Sequence, residues 1–369
     1  MNREEYVKAI KDVIYLSYCA VEGKVPAKSR TDKMDLTNVY NAAKSHLLTA
    51  ICAFSLEAAG ITDERFTQEK AKAMRKVALM DIEMNSLFET FETEGIWYMP
   101  LKGTILKDYY PAFGMRQMSD HDILFDSSRA EDVKRIMEAQ GFTTEEYLKG
   151  NHDVYHKLPV CNFEMHRSLF VETFDAQMYS YYKNVKQRLV KDEDKSFGYH
   201  FTDEDFYVYL TAHEYKHYSV GGTGLRSVLD IYVFFKKMGG SLDLSYIESE
   251  CEKLGIADFE MQSRTLALDL FGGKKLTDED KQMLKYIVYS GTYGKMENSV
   301  KNKVKKAGNS KLRYVMTRLF LPMTLVKEYY PLFYKHRILL PVLPFYRLFK
   351  NINTRKISIK TELKYLLKK

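Results

Sequence analysis

The chain opens with apolar residues three and four apart. Tyr6, Ile10, Val13 and Ile14 form one helical stripe, and Ala43, Leu47, Ile51 and Phe54 form another. Residues 2 to about 92 therefore read as helices. The second helix stops at Gly60, Thr62-Asp63-Glu64-Arg65 caps a long charged third, and Gly95 ends that one. The period then changes. Ile96 to Leu101 is β-prone, and Asp120 to Phe125 is a second strand. Ser128 caps a helix that closes at Gly141, and Phe142 to Tyr147 is a further candidate strand. After His156-Lys157-Leu158, Cys161, Phe163 and Met165 alternate with Asn162, Glu164 and His166, the pattern of a half-buried strand with one polar face. Helices are predicted over 175–191, 202–218, 225–238, 245–254, 257–270 and 277–289. Pro322, Pro331, Pro341 and Pro344 chop the remainder into short pieces.

This pattern predicts an α+β fold: a small mixed β-sheet core over 93–175 between an N-terminal helical segment, 1–92, and a C-terminal helical domain with a basic tail, 176–369. Composition changes the picture in three places. Cys19, Cys52, Cys161 and Cys251 are far apart with no C-x-x-C spacing, which argues against a zinc ribbon or disulfide framework and fits a reducing cytoplasm. The N-terminus is charged, and no window approaches the ~18 uncharged residues a spanning helix needs. The net charge of +7 is uneven. Residues 301–369 carry about 18 Lys/Arg against about 2 Asp/Glu, so the rest is net acidic by about nine charges. The basic tail reads either as a solvated helical face or as a contact for a polyanion.

The candidate chemistry lies between Met99 and Phe125. A strand alternates its side chains, so Asp120 and Asp122 point to one face. Two adjacent carboxylates repel unless a cation joins them, and hard oxygen ligands suit Mg²⁺. Upstream, the turn Lys102-Gly103-Thr104 offers backbone N–H groups to a phosphate. Glu164 adds a third carboxylate if its strand lies beside the Asp120–Phe125 strand.

The motifs continue in order: Leu101-Lys102-Gly103 with Leu106, then Tyr110-Pro111, then Arg116 with Ser119-Asp120-His121-Asp122-Ile123-Leu124, then Glu164 and His166. His213, His217 and the run Gly224 to Asp230 follow. This arrangement resembles the DNA polymerase β-like nucleotidyltransferase superfamily, and within it a bacterial uncharacterised branch, the nucleotidyltransferase 5 type. The resemblance covers most of the chain. It implies transfer of a nucleoside monophosphate from a nucleoside triphosphate, ATP among the candidate donors, to an unknown hydroxyl on a protein, RNA, sugar or small molecule. Two Mg²⁺ ions would be held by Asp120, Asp122 and Glu164. Lys102, Gly103, Thr104, Arg116 and Ser119 would bind the nucleotide, and His166, His213, His217, Arg226 and Asp230 are pocket candidates. The phosphate turn departs from the superfamily, where a Gly-Ser or Gly-Gly pair is usual. Here Thr104 would stand for the serine hydroxyl and Lys102 adds a charge.

A competing motif is His213-Glu214-Tyr215-Lys216-His217, an H-E-x-x-H run on a predicted helix with Asp230 as a third ligand, which would make a zinc-dependent hydrolase. The same stretch also reads as packing, with Arg226 and Asp230 as an intrahelical ion pair. A non-catalytic nucleotide-binding or interaction protein, and a sugar transferase using D-x-D, stay open.

Overall fold

A computed structural model describes residues 1–173, 175–351 and Glu362. Five strands form one sheet: β1 (Tyr98–Leu101), β2 (His121–Phe125), β3 (Thr143–Glu146), β4 (His152–Lys157) and β5 (Cys161–His166), in the order β1-β2-β5-β4-β3. β2 and β5 run parallel and every other pair is antiparallel, so the sheet is small and mixed. The helix Ala130–Ala139 follows β2, but the strand after it, β3, goes to the far edge, and it is β5 that returns beside β2. Helices flank the sheet in sequence on both sides, the α+β arrangement expected.

The two faces of the sheet differ in chemistry. Ile123, Phe125, Phe163 and Met165 point to one face and form a core with Val77, Met80, Leu87 and Phe91 of the long helix Glu64–Glu94 and with Val133, Ile136 and Met137 of Ala130–Ala139. Burying each such side chain stabilises the fold by roughly 1.5–3 kcal/mol. The long helix starts at Asp63, whose Oδ1 accepts from the Arg65 N–H, and ends at Gly95 in the left-handed region (φ 69°). The opposite face of the same strands carries Asp122, Glu164 and His166.

The chain divides into two compact units. One comprises Met1–His213 and Gly224–Val288, and the other Glu214–Thr223 with the residues from Tyr289 onward. The second unit holds short helices, among them Met296–Lys306, Lys311–Leu319 and Pro331–Lys335, with small cores around Val300, Val304 and Tyr314 and around Val326, Phe333 and Leu343. Of the basic tail, 352–361 and 363–369 lie outside the described residues. Among the described residues no helix is long and apolar enough to cross a membrane.

Two helix expectations are corrected. The stripe through Ala43 and Phe54 is two helices, Leu36–Ser45 and Thr49–Ala58, broken at Leu47 (φ 54°). The break turns the His46 ring inward, where it meets the Tyr6 hydroxyl at 3.2 Å and accepts the Leu225 N–H at 3.2 Å. The helix expected over 175–191 ends at Tyr182, because Val190 and Lys191 find strand partners in His200 and Tyr199 instead.

Candidate active site

Parallel pairing sets Asp122 directly across from Glu164, so their side chains leave the same face of adjacent strands. Asp120 precedes β2 by one residue and, two positions from Asp122, shares that face. The Asp122 carboxylate is buried, and its Oδ1 accepts from Lys102 Nζ at 2.6 Å and from His166 Nε2 at 2.8 Å. Burial alone would raise its pKa, but the Lys102 and His166 contacts hold it well below the ordinary carboxylate range. Its neighbours go the other way. Burial, then repulsion from Asp122, pushes Glu164 up to about 7 and raises Asp120. Lys102 loses solvation by burial, yet Asp122 keeps its ammonium more basic than usual. For His166, burial and the nearby Lys102 charge lower the pKa to about 4, so its ring is neutral at pH 7.

Lys102 reaches this position from an unusual backbone, φ 48° and ψ −120°, a conformation that costs about 1–3 kcal/mol for a residue with a Cβ. Its carbonyl accepts the N–H groups of Ile105 and Leu106, closing a single helical turn. Beside it, Gly103 is pressed against Arg116: a Cβ there would stand 2.5 Å from Arg116 Nη1. Thr104 points away from this face. Its hydroxyl is buried and 2.9 Å from His121 Nδ1, and the other ring nitrogen of His121 is 3.4 Å from Asp81 Oδ1 on the long helix. The hydroxyl expected to replace a phosphate-binding serine thus props His121 on the core side of β2.

The loop that delivers Asp120 is tied down at each step. Arg116 grips Asp230 through two bonds of 2.8 Å, and the Tyr110 hydroxyl donates to the same carboxylate at 2.7 Å. Arg226 donates to the Gln117 carbonyl at 3.1 Å. The Gln117 side chain accepts from the Thr49 hydroxyl and the Ala50 N–H, at 2.9 and 3.0 Å. Lys76 donates to the Ser119 carbonyl at 2.6 Å. Arg116 and Asp230 therefore form a buried fork-on-carboxylate pair that anchors the loop, where the sequence suggested a phosphate contact and an intrahelical partner for Arg226. Ser119 takes part in this anchoring through its backbone carbonyl.

The model of a family described as uncharacterised nucleotidyltransferases matches residues 32–272. The chain belongs to this nucleotidyltransferase family. The matched stretch holds the Asp120, Asp122 and Glu164 face and the Arg116–Asp230 anchor, and membership places the chain among the transferases. No curated protein and no solved structure shows significant similarity to it.

The H-E-x-x-H run lies on the helix Asp203–Val220. Asp230, expected as its third ligand, is held by Arg116 and Tyr110. The His213 ring lies 6.3 Å from that of Tyr209, a buried tyrosine whose pKa is raised by burial and which feels the charges of Lys102, Asp122 and Glu164. Among the described residues, the one group of three potential metal ligands is His152, Glu164 and His166.

Sequence reasoning missed His152, Asn151, Lys76, His121 and Asp81. β4 was obscured because Asp153, an acidic residue, occupies a fully buried position beside Tyr155, which breaks the expected alternation. Asp153 accepts there from the Leu148 N–H and from Arg167 Nε, at 2.6 and 3.3 Å. The middle residue of Asp120-His121-Asp122 offered a signal: alternation alone sends His121 to the core face, where a buried imidazole needs partners.

Proposed function

We propose that this chain transfers a nucleoside monophosphate from a nucleoside triphosphate to a hydroxyl acceptor, with release of pyrophosphate, in a Mg²⁺-dependent reaction on the face formed by Asp120, Asp122 and Glu164. The observation that carries the reading is the pairing of Asp122 opposite Glu164. Asp120 lies two residues before Asp122, and burial followed by repulsion from Asp122 holds both Asp120 and Glu164 above their ordinary pKa. An oxygen-rich cluster that is costly when empty of cations fits Mg²⁺. Asp120, Asp122 and Glu164 are the residues that would hold two ions. When bound, the ions supply charge neutralisation for the triphosphate and a more acidic acceptor hydroxyl.

The protein's own share is positioning and charge. Lys102 Nζ is paired with Asp122 and is the cation best placed to turn towards a phosphate oxygen once that carboxylate has another partner. Lys76 and Arg226 add positive potential around Asp120. Gly103 admits the Arg116 guanidinium, which with Asp230 holds the loop carrying Asp120 in register. His166 donates from Nε2 to Asp122 and orients its carboxylate. Glu164, directly across from Asp122, is our candidate for a further metal ligand or for the base that takes the acceptor's proton. The four cysteines are buried free thiols, which fits the cytoplasmic site we propose. The basic segment after residue 300 remains our candidate for a polyanion contact.

The test is calorimetry with each of the four ribonucleoside triphosphates, with and without Mg²⁺, on the wild type and on Asp120→Ala/Asp122→Ala. Mg²⁺-dependent binding of a triphosphate, lost in the double variant, supports the reading and names the donor for an acceptor screen. Binding of none, or equal binding by both proteins, overturns it.

A further inference from the structure

β4 and β5 pair so that His152 stands directly across from His166, and Glu164 sits two residues before His166 on the same face. The Nε2 atoms of both histidines are 3.7 Å from Glu164 Oε2, and the ligand atoms of all three residues lie within 4.8 Å of one another. Three ligands around one ion, each about 2.1 Å from it, are separated by roughly 3–3.6 Å. Each imidazole thus stands within a few tenths of an ångström of a coordinating separation from the Glu164 carboxylate, and a small rotation of the side chains brings all three ligand atoms around one ion. We propose that His152, Glu164 and His166 form a site for a first-row transition-metal ion such as Mn²⁺, Co²⁺ or Zn²⁺, adjoining the carboxylates of Asp120 and Asp122.

The donor set decides the class of ion. Mg²⁺ prefers oxygen ligands and gives up water reluctantly, whereas imidazole nitrogen suits the later divalent ions. Supporting contacts fit as well. The Asn151 side chain reaches His166 Nδ1 at 3.3 Å and the Ser168 carbonyl at 3.0 Å, so the ring is held from behind. The Asp122 Oδ1 atom, 2.8 Å from His166 Nε2, is the nearest further oxygen. The site rests on the transferase reading only for the placement of the reacting groups, and its test separates the two.

The experiment titrates the metal-stripped full chain with Co²⁺ and follows the visible absorption bands of the bound ion, then repeats the titration with excess Mg²⁺. The wild type is expected to bind one Co²⁺ per chain with nitrogen-ligand bands that Mg²⁺ does not displace. His152→Gln, at a partly exposed position, is expected to weaken binding by about tenfold or more. Asp120→Asn is expected to change it by less than about threefold while abolishing Mg²⁺-dependent triphosphate binding. Circular dichroism checks that both variants fold. Absence of Co²⁺ binding, ready displacement by Mg²⁺, or Co²⁺ binding by His152→Gln equal to wild type overturns the site. Triphosphate binding that survives in His152→Gln leaves the transferase reading standing in each case.

Discussion

At the scale of single residues, Gly103 and Glu164 bear on stability in opposite senses. Gly103 has a negative φ, so its backbone would accept other residues. What forbids them is Arg116, whose guanidinium is pinned by Asp230 and cannot step aside for a Cβ 2.5 Å away. Gly103→Ala is expected to destabilise by about 1–3 kcal/mol, read as a lower urea midpoint. Glu164 carries the opposite signature. Its carboxyl, ordinarily at 4.5, is raised to about 7 in the folded chain by burial and by Asp122. A raised carboxyl contributes stability that is present below 4.5 and lost as pH rises through about 7. In metal-free buffer at about pH 8, Glu164→Gln should therefore melt above the wild type, with the gain shrinking towards pH 4.5. A melting curve unchanged by the substitution at both pH values would remove crowding as an argument for a cation at this face.

At the scale of elements, the loop from Tyr110 to Ser119 joins a helical turn to β2 and has no regular structure of its own beyond tight turns. Its order comes from outside, chiefly from Asp230 on the helix Leu225–Met238. Losing one partner of a buried ion pair strands the other, at a cost of about 3–5 kcal/mol. Arg116→Met is expected to reach that range and to expose the loop to limited proteolysis. Arg116→Met with Asp230→Leu should recover much of the stability, because neither charge is then left buried. If the double variant falls by the sum of the singles, the two residues act independently and the anchor is refuted.

At the scale of the molecule, a second charged network joins segments distant in sequence. Arg188 donates to Asp205 at 2.7 Å and to Glu250 at 2.8 Å, the Tyr246 hydroxyl donates to Asp205 at 2.9 Å, and Tyr181 donates to Glu250. Burial would raise Glu250, but bonds from Lys253, Tyr181 and Arg188 outweigh it and bring the carboxyl from 4.5 down to about 2. A depressed carboxyl contributes stability that is present above 4.5 and lost as pH falls through about 2. The stability gap between wild type and Glu250→Gln should be constant above that window and close within it. Urea denaturation across the window checks this, and a gap that does not change would show that the charge on Glu250 contributes nothing.

The sequence by itself determined which segments are helix and strand wherever period and capping agreed. The Leu225–Met238 helix has the bounds expected, and Asp63 and Gly95 frame the long helix because a cap and a left-handed glycine act locally. It also determined that Asp122 points away from Ile123 and Glu164 away from Phe163 and Met165, since alternation follows from backbone geometry. Tertiary structure decided what no local rule carries. It chose β5 as the parallel neighbour of β2, which brought Glu164 to Asp122. It turned Thr104 towards His121, gave Arg116 to Asp230 across 114 residues, and placed His152 across from His166. These are pairings between distant segments, set by which faces must be buried together. A buried charge takes whatever partner the packing brings within hydrogen-bond reach, and the order of residues along the chain does not contain that distance.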